Sequence, residues 1–185
     1  MKFLALALAF TLIATAACTT ENAEEPAPSP SPTAAPASSP TVTVSVDGPT
    51  EVDAGSEFTV TVSVTHVTAL AFSVFDLTYD PAVIQVGGEQ GSSPGVSNGA
   101  IGDTPISVEW AFLPSGQQGK LRVLGEPPDI TGVTGAGYLA KIHFAVVAVG
   151  PGTTDLTLSQ VMLTDAAASE ITPVSIESGS VHVAQ

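Results

Sequence analysis

The sequence predicts an all-β protein: a two-sheet β-sandwich carried behind an export signal and an extended linker. Three observations point there. From residue 41 onward, run after run alternates apolar and polar side chains with a period of two. Turn-forming clusters separate the runs: "DGPT", "DAGS", "PSGQQG", "GEPPD" and "VGPGTT". No stretch after residue 41 has the period of an amphipathic helix.

The chain of 185 residues divides by composition into three parts. Residues 1–17, "MKFLALALAFTLIATAA", carry one Lys and then an apolar run that ends in small residues. The run is too short for a membrane span and reads as a signal peptide. Residues 18–40 open on Cys18, the single cysteine, so no disulfide can form within the chain. The rest of this part, "TTENAEEPAPSPSPTAAPASSP", has no large apolar residue and cannot pay the entropy of folding. Its closely spaced prolines favour polyproline II, a tether of up to roughly 70 Å at ~3.1 Å per residue.

Residues 41–185 form the predicted sandwich. Val42, Val44 and Val46 share one face of the first strand, and Phe58, Val60, Val62 and Val64 one face of the next. Ile106, Val108, Trp110 and Phe112 align, as do Tyr138, Ala140, Ile142, Phe144 and Val146 with Lys141 and His143 outward. Further strands fit Leu121–Leu124, Leu156–Leu163 and Val174–Val183. Roughly seven to nine strands at this spacing suit two packed sheets. Two strands change phase midway. A β-bulge at Gly179 would restore the inward face of the last, and Leu156 and Leu158 against Val161 and Leu163 suggest a similar irregularity. The run "ALAFSVFDLTYDPAVIQV" is apolar on both faces for half its length. If Phe75, Leu77 and Tyr79 point inward, Phe72 and Val74 point out. They then form either an exposed patch or a surface covered by the Gly-rich segment Gly87–Gly102.

Charge excludes some functions. Asp and Glu number 18 against 4 Lys and Arg, a net charge of −14. A nucleic-acid partner needs a basic patch, and an anionic membrane surface would repel this domain. Such acidity suits the solubility of an exported protein.

Two resemblances extend this reading. "TAAC", Thr15–Cys18, resembles a bacterial lipoprotein lipobox, with Thr15 where Leu is usual. The resemblance implies a diacylglyceryl thioether on Cys18 and an exported protein lipid-anchored to the cell envelope or cell surface. The alternative is ordinary signal cleavage after a small-residue site. Thr19, not Asp, resembles the outer-membrane default in two-membrane bacteria. Second, "FDLTYDPAVIQV", "GYLAKIHFAVVAVGPGTTDLTLS" and "ESGSVHV" occur in the order and separation of a cohesin domain, and the chain resembles that family over nearly all of residues 41–184. The resemblance implies a nine-stranded jelly roll that is not an enzyme and needs no cofactor. It also implies a dockerin-bearing exported protein as partner, the dockerin being a small helical domain that holds the calcium, which this chain does not. In cohesins the strand matching Leu70–Tyr79 lies in the docking sheet. The implied partner-binding residues are therefore Phe72, Val74, Asp76 and Thr78, with Arg122 and Leu124 of the neighbouring strand. Phe72 would be the apolar anchor, with Asp76 and Arg122 at the rim. Phe72 and Val74 replace the Asn and Asp often found there, implying a more apolar docking face.

Other motifs carry no chemistry. "GSSPG" (Gly91–Gly95) matches a nucleophile elbow but lacks the strand before it and the helix after it. "GQQGK" is too short for a P-loop. His66, His143 and His182 have no metal-ligand spacing and read as surface strand residues. The alternative functions are a carbohydrate-binding module, with polysaccharide as ligand, or a surface adhesin or spacer. Trp110, Tyr79 and Tyr138 all fall on inward parity, which argues for core packing over a sugar platform.

Overall fold

A computed structural model describes residues 41–87, 95–172 and 174–184, and among them there is no helix. The signal peptide, Cys18, the linker and residues 88–94 lie outside the described residues. Eleven strands follow in order: β1 Val42–Asp47, β2 Glu51–Asp53, β3 Glu57–Thr78, β4 Ile84–Val86, β5 Val96–Ile101, β6 Thr104–Phe112, β7 Lys120–Glu126, β8 Val133–Val146, β9 Gly152–Asp165, β10 Val174–Glu177 and β11 Gly179–Ala184. Two of them, β2 and β4, are three residues long. The remaining strands match the number expected of the jelly roll.

The 22-residue strand β3 organises the molecule. Its first half pairs with β1 and β8, and its second half with β7 and β9. The back sheet runs β10–β1–β3–β8, with β4 and β5 sharing the far edge of β8. The front sheet runs β2–β11–β9–β3–β7–β6, and β5 joins β6 to β8 so that the hydrogen-bonded path closes on itself. Strand β3 turns from one sheet to the other near Ala69, whose φ is 50°. Around it the buried residues come every third position, Val64, Val67, Leu70 and Ser73, instead of every second. Register shifts against β8 mark the same stretch, so it acts as a corner built from bulges.

The core lies between the sheets. Phe75, Leu77, Leu121, Val123 and Ile106 enter from the front, and Val44, Val60, Val62, Ile142 and Phe144 from the back, all essentially inaccessible. Phe144 stacks on Phe58 at 5.6 Å and meets Tyr79 edge-on at 5.1 Å. The Tyr79 hydroxyl donates to Gln118, whose side chain also bonds both backbone groups of Val86. That clip ties the loop before β7 to β4.

Several expectations change. Tyr138 is not inward: β8 carries a register shift between the Val62 and Ser63 pairings, so Leu139 takes the buried site. Tyr138 turns to the half-exposed outer face, with the Lys141 ammonium 4.7 Å from its ring centre. His143 is no free surface residue, because its ring bonds Thr59 on β3 and Ser97 on β5. The phase change near Gly179 is a strand switch instead of a bulge: β10 pairs parallel with β1, and β11 crosses to pair with β9 and β2. The irregularity within β9 sits at Gln160, with φ 51° and a register shift against β3. Trp110 faces inward but is half-buried, edge-on to Phe112 at 5.3 Å.

Candidate docking face

The outer face of the front sheet is built from four strands. Along β3, Phe72, Val74, Asp76 and Thr78 alternate with the buried Ser73, Phe75 and Leu77. Along β7, Lys120, Arg122, Leu124 and Glu126 alternate with the buried Leu121, Val123 and Gly125. Pairing sets their neighbours. Val74 stands opposite Leu124 on one side and Met162 on the other; Asp76 stands opposite Arg122 and Ser159; Phe72 stands opposite Thr164. On β6, Glu109 lies beside Leu124, Ala111 beside Arg122 and Ser107 beside Glu126.

Gly125 leaves room for its front-sheet neighbours on β3 and β6 to pack closely beneath this face. A Cβ there would meet the Ser73 hydroxyl oxygen at 2.6 Å and an Ile106 methyl at 3.0 Å. The Ser73 hydroxyl donates to the Gly125 carbonyl, which satisfies the one polar side chain the strand turns into the core here.

The structure thus brings Phe72, Val74, Asp76, Thr78, Arg122 and Leu124 onto one surface. Phe72, Val74 and Leu124 are half-buried by their neighbours, Thr78 is exposed, and Met162, missed in the sequence, is 42% exposed beside Val74. Val161 and Leu163 flank it, and the irregularity at Gln160 decides which residue of β9 turns out. Segment Gly87–Gly102 does not cover Phe72 where it is described, because β5 is hydrogen-bonded between β6 and β8.

Asp76 departs from the expected rim role. Its side chain has no exposed surface, while Lys120 and Arg122 above it are 37% and 41% exposed. Arg122 donates two bonds to the carboxylate, Nε at 2.6 Å and Nη2 at 3.0 Å, and Lys120 Nζ lies 3.0 Å away. Burial pushes the Asp76 carboxyl up, but the hydrogen bonds and charges of Arg122 and Lys120 outweigh it and hold the group below its ordinary range. The same pairing raises Arg122 above its usual value. Asp76 therefore acts through the cations it positions, since no partner atom can reach it.

Two shallow grooves flank the Val74–Leu124 pair. One, of about 240 Å³, is lined by Val74, Arg122, Gln160, Val161, Met162 and Glu170. The other, of about 170 Å³, is lined by Ser107, Glu109, Leu124 and Glu126. No group of acidic, His or Cys side chains among the described residues could hold a metal ion. The three large polar aromatics offer no open stacking platform: Tyr79 is buried, Trp110 faces inward, and Tyr138 lies under Lys141.

Comparison with known proteins agrees with this fold. The fold is similar to a non-cellulosomal cohesin from the hyperthermophilic archaeon Archaeoglobus fulgidus, at 18% identity and TM-score 0.62, covering 79% of this chain and 93% of that one. It is also similar to a chain of a type II cohesin–X-dockerin complex from Acetivibrio cellulolyticus, at 15% identity and TM-score 0.57, covering 77% and 99%. A cohesin module of a family 33 glycoside hydrolase from Clostridium perfringens matches at 12% identity and TM-score 0.57, covering 77% and 95%. A search of curated proteins finds no match. A family model described as "Cohesin domain" matches residues 42–183, and the chain therefore belongs to the cohesin family.

Proposed function

We propose that this chain is a non-catalytic receptor that binds a dockerin-bearing exported protein through the outer face of β9, β3, β7 and β6. The observation that carries the reading is the apolar strip of Val74, Leu124 and Met162 at the centre of that face, bordered by charged side chains. An apolar centre with a polar rim is the anatomy of a transient protein interface. Cohesin–dockerin complexes among the similar structures support the partner class. The chain needs no cofactor of its own, and calcium belongs to the partner. Cys18, lipidated, would hold the domain at the cell envelope on its Pro-rich tether.

The test is a titration of the full chain with calcium-loaded dockerin modules from the source organism's exported proteins. Saturable binding is expected, abolished by chelator while the chain's own melting temperature stays unchanged. Chelator that unfolds this chain, or binding indifferent to calcium, would contradict the reading.

A further inference from the structure

Charge on the docking face is ordered along one strand. Reading the outward positions of β7 from its start gives Lys120, Arg122, Leu124 and Glu126: two cations, an apolar residue, an acid. The neighbours repeat the order. Glu109 sits beside Leu124 on β6, and Glu170, whose backbone bridges to Thr164, lines the groove at Met162. At the opposite end the uncharged Ala111, Thr78 and Ser159 surround the cations. Asp76 beneath them neutralises one of the two charges, which leaves that end positive. Beyond this end, Asp80 follows Thr78 by two residues past the end of β3, and Asp155 precedes Thr157 by two on β9. The described residues contain three cations in all, and two of them stand here.

This polarity extends over six residue steps of β7, roughly 20 Å at ~3.3 Å per step. A helix of about 13 residues covers the same length. Its own dipole is positive at the N-terminus and negative at the C-terminus.

We propose that this face accepts a partner helix in one sense only. The carboxylate-bearing, C-terminal end lies over Lys120 and Arg122, the Lys- or Arg-bearing, N-terminal end lies over Glu109 and Glu126, and an apolar stripe lies on Val74, Leu124 and Met162. The inference rests on the docking reading above and adds the charge pattern of the partner. Charge order of this kind selects orientation and partner more than it adds affinity. Turning the helix around would set acid against Glu109 and Glu126, and base against Lys120 and Arg122.

The test uses a stapled helical peptide of about 13 residues with a Leu stripe, Lys in its first turn and Glu in its last. A nitroxide label is placed at either end, and amide signals of the full chain are followed by NMR. The C-terminal label should broaden Thr78 and Lys120 more strongly than Ser107 and Glu126; the N-terminal label should do the reverse. The double variant Glu109→Lys, Glu126→Lys alters only exposed side chains. It turns two exposed attractions into repulsions and should weaken the peptide about tenfold at low salt. That gap should close at high ionic strength. Equal broadening at both ends, the reverse sense, undiminished binding by the double variant, or no binding at all would overturn the proposal. A dockerin module that does not bind defeats the docking reading whatever the peptide does. A peptide lying in both senses while a dockerin module binds defeats the polarity alone.

Discussion

Substituting Asp76 by Ala should destabilise the domain modestly and in a pH-dependent way. Removing one partner of a fully buried ion pair costs about 3–5 kcal/mol, because the other charge is left without solvent or counter-charge. Here the cations left behind, Lys120 and Arg122, are 37% and 41% exposed and can rehydrate. The loss is then confined to charge-assisted hydrogen bonds partly screened by water, about 1–2 kcal/mol at neutral pH. The sign of the pH dependence follows from the carboxyl's lowered position. A group whose folded-state pKa is depressed stabilises the fold above its unfolded value, about 3.9 for Asp, and loses that contribution as pH falls through the folded value. Denaturant melts of wild type and Asp76→Ala from pH 7 to pH 2 should therefore differ at neutral pH and converge at the acid end. Asp76→Asn keeps the volume and one acceptor and should fall between them. A wild-type advantage that persists undiminished at pH 2, or Asp76→Ala as stable as wild type at pH 7, would refute this account of the cluster.

Phe72→Ala should weaken dockerin binding by about 2 kcal/mol if Phe72 is an anchor. Because Phe72 is half-buried, its loss should also cost about 1 kcal/mol of stability, measured on the same protein by denaturant melts. Several kcal/mol lost with affinity intact would show a packing role only. Trp110→Ala should cost about 2 kcal/mol, less than the ~3–5 of a fully buried aromatic, because the indole is only half-covered. Added oligosaccharide should leave its fluorescence unchanged, and quenching would instead favour a carbohydrate-binding face. Cys18→Ala should release the protein from the membrane fraction or leave an unprocessed precursor, and a processed variant that stays membrane-bound would contradict the proposed lipid anchor.

Much of this architecture could be read from periodicity. Phe75, Leu77 and Tyr79 alternate because β3 is regular there, and all three are buried. Counting parity fails wherever a bulge intervenes. Tyr138 was expected inside with Ala140 and Ile142, but one extra residue hands the site to Leu139. The crossing of β10 to β11 at Ser178 resembles a bulge in sequence, since either one shifts the phase by one residue. Asp76 stands on the outward face beside Arg122 as read, but its burial has another cause. A buried carboxylate is tolerable only with counter-charges, and these arrive from Lys120 and Arg122, the latter 46 positions along the chain. No local pattern reveals such a pairing. Met162 stayed hidden because its orientation depends on the backbone at Gln160.

The central claim is that the front sheet's outer face docks the partner. Amide hydrogen exchange on the full chain, with and without a bound dockerin module, tests it most directly. The account predicts added protection at Phe72–Thr78, Lys120–Leu124 and around Met162, with none on the outer positions of the back sheet such as Ser45, Thr61 and Lys141. Protection confined to the back sheet, with the β3 and β7 positions unchanged, would contradict it.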